Sequence, residues 1–385
     1  MLTLEKTVYI DITWKRRYNY GMKKLLIFLG ITILLNIILT VASRLSVGFS
    51  EWYATSIYPL AVGVFARFTG LFPFAAVEVL LYILILGAIA GLVFLIIKLV
   101  RGKGKRRKYW VRAGIALSCT VSTLLLMYTL GCGINYHRRP FSYYSGLELE
   151  MYGREDLRAV IEEVIAELEV LVPRINTRED GSFILDGSRF NSTAREAMKK
   201  LGELYPPLDA YYPSPKSVLL SKQIISPLMI CGIFSPFTME ALYNGDMPDS
   251  EKPFVALHEL SHLSGFMRED EANFIAFLAC RESGDVEFKY SGYISALSYL
   301  LGAYDGDDYY DLYMTVPEQV RRQYIVEGTY WYLFYSAPGG AAIAAVSNAV
   351  NDTYLIMQGQ EDGVKSYGRV VDLLIADYLS RNKAN

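Results

Sequence analysis

Three long apolar stretches near the N-terminus constrain this chain more than anything else in it. Leu25 to Ser43, Val79 to Ile97 and Ala113 to Tyr136 carry no charged residue. A helix needs about 20 apolar residues to cross a bilayer, and each stretch reaches that length. The first two show no polar face, so neither reads as an ordinary core helix. The third, "AGIALSCTVSTLLLMYTLGCGIN", is more polar but long enough to span. Residues 1–140 therefore read as a membrane region with transmembrane helices at about 25–43, 77–99 and 113–135.

Charge divides the chain at the same place. Through Pro140 there are 18 Lys and Arg against 4 Asp and Glu; beyond it there are 20 against 36. The cations cluster before the first span (Lys15, Arg16, Arg17, Lys23, Lys24) and between the second and third, in "RGKGKRRKYWVR". Cationic loops stay on the cytoplasmic side. That rule predicts a multi-pass protein of the plasma membrane with a cytoplasmic N-terminus and an extracytoplasmic domain after the third span. A basic loop held between two spans suits anionic lipid headgroups better than nucleic acid, so the bilayer is an expected partner and nucleic acid is not. The intervening "EWYATSIYPLAVGVFARFTGLFPF" is broken by Pro59, Gly63 and Gly70, and it reads as interfacial or packed beneath the outer domain. Met22 precedes "KKLLIFLG" and is an alternative start.

Residues 141–385 read as one mainly α domain with a small β-sheet. Apolar spacing of three and four predicts a helix over 154–172, and "STAREAMKKLGELY" predicts another behind a Ser/Thr cap. "SVLLS" and "PLMICGIF" read as short strands, the second of them a possible edge strand for an extended substrate. Helices are expected over 253–264, 269–282, 286–303, 316–334, 339–358 and 363–380. "YDGDDYYDLY" lacks the spacing of a calcium loop and reads as a solvated turn. The four cysteines form no CxxC pair and read as buried thiols, and His137 reads as an interfacial residue.

The chemistry concentrates in "HELSHLSGFMREDEANFIAFLA", residues 258–279. His258 and His262 lie one helical turn apart and can address one ion, with Glu259 beside them. Zinc held this way acidifies a water, and the glutamate serves as general base. Asp249 or Ser250 is placed to cap the helix and Pro253 sits in its first turn. Gly265 can take the left-handed C′ position and turn the chain into a second helix. Glu269, at the start of that helix, is the expected third ligand, with Glu271 as the alternative and Asp270 or a distant group behind them. Asn273, four residues on, is placed to hydrogen-bond a ligating histidine. Arg268 stands where a metzincin carries its third histidine, which disfavours that class. The charged flanks "PDSEK" and "REDE" disfavour an intramembrane protease.

"HELSH" followed by "EDEANFIAFLA" resembles the Glu-zincin metallopeptidases, including the CAAX prenyl proteases, in which HExxH precedes a helix bearing E-x-x-A-N or E-x-x-A-D. The resemblance implies His258, His262 and Glu269 as ligands of one Zn2+, Glu259 as the base, and a zincin-like fold. The whole chain is more closely similar to an uncharacterised bacterial family of membrane proteins with an "HELxHxxGFxxEDEANFxAxLA" core and a C-terminal "YLxxxGQxDGVxSYGRVVDLL" stretch. The expectation is a membrane-anchored zinc metallopeptidase acting on protein or peptide substrates of the envelope. Its rivals are an inactive scaffold module and a metal-dependent amidase for cell-wall or lipid substrates.

Overall fold

The structure is a computed structural model and describes residues 2–102, 104–150, 152–360 and 369–383. The N-terminal region comprises α1 (Leu2–Leu45), α2 (Val47–Trp52), α3 (Tyr58–Thr69), α4 (Ala76–Arg101) and α5 (Arg106–Gly131). Three of its helical stretches, Gly21–Leu45, α4 and α5, are long and apolar enough to cross a membrane. On α4, Leu81, Leu84, Leu92 and Phe94 are all more than half exposed. A helix that is apolar all round and uncovered by protein suggests membrane association.

The polarity of the third stretch has a packing reason. Thr32 Oγ1 of α1 lies 2.9 Å from Ser122 Oγ of α5. Thr129 Oγ1 donates to Asn36 Oδ1 at 2.6 Å, and Asn36 Nδ2 donates to the Ser122 carbonyl at 3.4 Å. These residues form a polar seam between α1 and α5, the kind of interhelical contact that holds spans together.

The segment after α1 packs beneath the C-terminal domain, as helices α2 and α3 joined by one wide turn over 53–57. Tyr53, Tyr58, Val62 and Ala66 are buried in the same core as Phe141, Leu260 and Phe274. That core draws on both sides of residue 140.

The rest runs α6 (Phe141–Ser145), α7 (Arg154–Leu171), α8 (Gly187–Leu204), β1 (Lys216–Ser217), β2 (Gly232–Ser235), β3 (Glu240–Tyr243), α9 (Lys252–Leu263), α10 (Glu269–Glu282), α11 (Val286–Ala303), α12 (Tyr309–Thr315), α13 (Glu318–Tyr335), α14 (Gly340–Met357) and α15 (Val370–Lys383). The architecture is mainly α with one three-stranded sheet, ordered β1-β3-β2. β1 runs parallel to β3 and β2 antiparallel to it, with Gly232 opposite Tyr243 and Ser235 opposite Glu240. α10 is the central helix: every residue from Glu271 to Cys280 is buried.

Several local expectations shift. α8 starts at Gly187, not at the Ser/Thr pair, because Asp186 accepts from Ser188 N at 3.0 Å and caps it there. "SVLLS" contributes only Ser217 to a strand and β2 is the last part of the second run, whereas β3 went unread. The polar residue that hid β3 is Glu240, which is buried for a tertiary reason. Its carboxylate accepts from Ala76 N and Val77 N, both at 2.9 Å, and pairs with Lys216 Nζ at 2.6 Å. It satisfies orphan amides at the start of α4. Glu78 of α4 answers by accepting from Leu219 N at 2.7 Å and Leu220 N at 3.2 Å. The sheet is thus stapled to the end of an apolar span. Half of "YDGDDYYDLY" is helical, as α12, and Asp308 before it pairs with Arg158. The start of the expected 363–380 helix lies outside the described residues; α15 begins at Val370.

Candidate metal centre

α9 is a core element, which already separates its histidines from a solvated helix face. Phe254, Leu257, Leu260 and Leu263 are buried, and β2, β3, α8, α10 and α11 surround the helix. Its N-terminus differs from expectation. Asp249 pairs with Arg178 at 3.0 Å and Lys252 at 2.8 Å, and Ser250 Oγ donates to Glu327 at 2.6 Å, so neither caps the helix. Ser291 of α11 accepts from Phe254 N at 3.1 Å instead, and Pro253 removes one orphan amide.

The C-terminal end is a Schellman turn. Gly265 takes φ +95°, its N–H donates to the His262 carbonyl at 2.9 Å, and Phe266 N–H donates to the Ser261 carbonyl at 3.3 Å. The turn has a chemical consequence. It brings the Phe266 carbonyl 2.8 Å from His262 Nδ1. A carbonyl can only accept, so Nδ1 carries the proton, and in the neutral ring Nε2 presents a lone pair.

That lone pair faces two other donors. His262 Nε2 is 3.0 Å from His258 Nε2. Glu269 Oε2, from the first turn of α10, is 3.2 Å from His258 Nε2 and 3.6 Å from His262 Nε2. Four ligands about 2.0–2.1 Å from a tetrahedral zinc lie roughly 3.3–3.4 Å apart. The three separations bracket that spacing, and two imidazoles with one carboxylate are the donor set of a three-ligand zinc site. Among the described residues this is the one group of three or more His, Cys, Asp or Glu side chains close enough to share an ion. The residues present therefore fit a divalent metal.

Glu271 faces elsewhere. It accepts from Phe141 N at 3.0 Å and Arg268 Nη1 at 2.9 Å, and so anchors the start of α6. Two residues make about 200° of helix, which puts it on the face opposite Glu269. Asp270 pairs with Arg369 at 3.1 Å. Asn273 is buried, but its amide nitrogen has no partner among the described residues and makes no bond to either histidine. His262 is oriented by a backbone carbonyl rather than by Asn273, and His258 Nδ1 has no partner among the described residues.

Electrostatics separate the acids of the site. Burial raises the Glu259 carboxyl to about 7, against the two imidazoles and with Glu269 adding to the rise. For Glu269 burial also raises the pKa, but the neighbouring imidazoles outweigh it and hold the carboxyl far below its usual range. Burial pulls His262 down, and the charge and hydrogen bond of Glu269 outweigh this, with Glu259 and the Phe266 carbonyl, so it reaches about 9.

Two features were missed in the sequence. Gly232 of β2 packs against Glu259: a Cβ there would overlap the Glu259 carboxylate and sit 2.7 Å from Val255 Cγ1. A glycine inside a strand often marks such a close approach, and that was the available signal. The second is a half-buried acid pair at the N-terminal end of α9, Glu251 and Glu327. Trp331 Nε1 donates to Glu251 at 3.0 Å, and Ser250 and Gln323 donate to Glu327 at 2.6 and 3.3 Å. No local pattern marks Glu327, which arrives from α13.

Fold and site define a mainly α protein with three helices long and apolar enough to cross a membrane and a largely buried His-His-Glu cluster. The chain belongs to the family described as "Protein of unknown function (DUF3810)", whose model matches residues 53–375. No curated protein and no solved structure matches it.

Proposed function

We propose that this chain is a membrane-anchored, zinc-dependent metallopeptidase whose catalytic domain faces away from the cytoplasm. The observation that carries the reading is the convergence of His258 Nε2, His262 Nε2 and Glu269 Oε2 within 4.8 Å of one another, beside the buried Glu259. A bound zinc would supply Lewis acidity, acidifying a water and polarising a scissile carbonyl. Glu259 would accept the proton at its carboxylate and return it to the departing amine. Burial raises this carboxyl above the ordinary carboxylate value, the direction that suits a group which takes up and returns a proton.

The substrate reading rests on β2. It forms one edge of the sheet, Gly232 abuts Glu259, and the Phe234 ring lies 6.4 Å from that of His262. An extended peptide added along this strand would run past the donors. The staple between β3 and α4 holds the sheet at the end of an apolar span, which favours envelope proteins cut close to the bilayer. The orientation follows from the cationic flanks of the spans.

The experiment compares the N-terminal peptides of envelope proteins in cells carrying wild type or Glu259→Gln. New N-termini confined to wild type support the reading; identical sets remove its basis. The full chain is required, because Tyr53, Tyr58 and Val62 are part of the domain core.

A further inference from the structure

A polar cavity lies apart from the three donors, at the end of the first apolar span. It encloses about 560 Å3, and Arg44 at the end of α1, Arg138, Asp270 of α10, Gln360, Arg369 and Asp372 of α15 help to line it. Its lip is apolar: Leu45 beside it is 83% exposed, and Val47, which lines it, is 54% exposed. Both sit at the level where Gly21–Leu45 would leave a bilayer.

Three side chains on this cavity carry buried polar atoms that have no hydrogen-bond partner among the described residues. Gln360 is 4% exposed, and neither its Nε2 nor its Oε1 makes a hydrogen bond among the described residues. Asp270 Oδ1 and Arg138 Nε are likewise buried and unpaired. Buried amides and charges are seldom left unsatisfied, because each loses its water without replacement. The orphans here ask for opposite things. Gln360 Nε2 and Arg138 Nε need an acceptor, whereas Asp270 Oδ1 and Gln360 Oε1 need a donor.

The charges lining the cavity have the same double character. Arg369 Nε pairs with Asp270 Oδ2 at 3.1 Å, so the two signs stand side by side. Arg44 adds a cation and Asp372 an anion. A simple phosphate would meet Asp270 and Asp372 as like charges. A simple cation would meet the arginines. A ligand with a phosphate and an ammonium a few bonds apart meets both. The ammonium must donate hydrogen bonds to fill the empty acceptors, which a primary amine can do and a quaternary one cannot.

We propose that this cavity binds a phosphoethanolamine group, with the phosphate toward the arginines and the ammonium toward Asp270 and Asp372. The apolar lip and its place at the end of a span indicate the headgroup of a membrane lipid as the source. The site lies on the far side of the first turn of α10 from Glu269, and it stands independently of any peptidase activity.

The test uses the full chain reconstituted with equimolar phosphatidylethanolamine, phosphatidylcholine and phosphatidylglycerol, followed by native mass spectrometry of retained lipid. One phosphatidylethanolamine per chain is expected, preferred about tenfold or more over the other two, a difference within reach of one well-placed ionic contact. Gln360→Leu should abolish that preference. Asp372→Asn, at an exposed position, should leave the fold intact and shift retention from phosphatidylethanolamine toward phosphatidylglycerol. Soluble O-phosphoethanolamine that displaces the lipid at millimolar concentration would support the same chemistry with a free phosphoamine as the source. Equal retention of all three lipids, or an unchanged preference in both variants, would overturn the proposal.

Discussion

The two ends of α9 bury carboxylates in opposite ways. At the C-terminal end Glu269 faces two imidazoles, and they hold it ionised despite its burial. At the N-terminal end Glu251 and Glu327 face each other. Burial raises Glu251 to about 8, with the charge of Glu327 adding and the Trp331 hydrogen bond opposing. Burial raises Glu327 to about 7 against bonds from Ser250 and Gln323. No cationic side chain opposes those rises, so a proton does there what imidazoles do at the other end. On the metal reading proposed above, the contrast separates a cluster that would hold a cation from one that merely tolerates its acids.

Substitutions can break or sharpen that contrast. The largest effect is expected from His258→Ala and Glu269→Gln, each removing one of three donors. Zinc affinity should fall by at least 100-fold, measured by competition with a chromophoric chelator. Glu259→Gln should keep the metal and lose peptide cleavage by about 1000-fold or more, since it removes the base and not a ligand. Zinc loss in Glu259→Gln would mean that the roles are misassigned. Gly232→Ala should also keep the metal, with cleavage reduced on the order of 10–100-fold because the Glu259 carboxylate must move.

The smallest effect belongs to the acid pair. Both carboxyls sit above the ordinary value of 4.5, at about 8 and about 7. Between 4.5 and those values the unfolded chain releases protons that the fold keeps, so the stability from this pair falls as pH rises through that window. Glu327→Gln should therefore stabilise the protein at pH 8 by about 1–2 kcal/mol and leave it nearly unchanged at pH 5. Thermal melts at the two pH values read this out; equal shifts at both would contradict the assignment.

What could be read without the structure follows the same line. The spans, the long helices and the HELSH spacing are local patterns, and Gly265 and Glu269 follow that motif within seven residues. Those parts were legible because a helix and its cap are set by neighbours in sequence. Gly232 and Glu327 were not, because each matters through a partner that tertiary packing brings to it. β3 was hidden for the same reason, since Glu240 is polar in sequence and buried only because it caps α4. Asn273 shows the converse error. Its helical register was read correctly, but the carbonyl that orients His262 comes from the Schellman turn.

The account turns on the metal, so the most direct measurement is the zinc content of the purified full chain beside Glu269→Gln and Glu327→Gln. The account predicts one zinc per chain in wild type and Glu327→Gln, and far less than one in Glu269→Gln. No zinc in wild type, or equal zinc in all three, would contradict it.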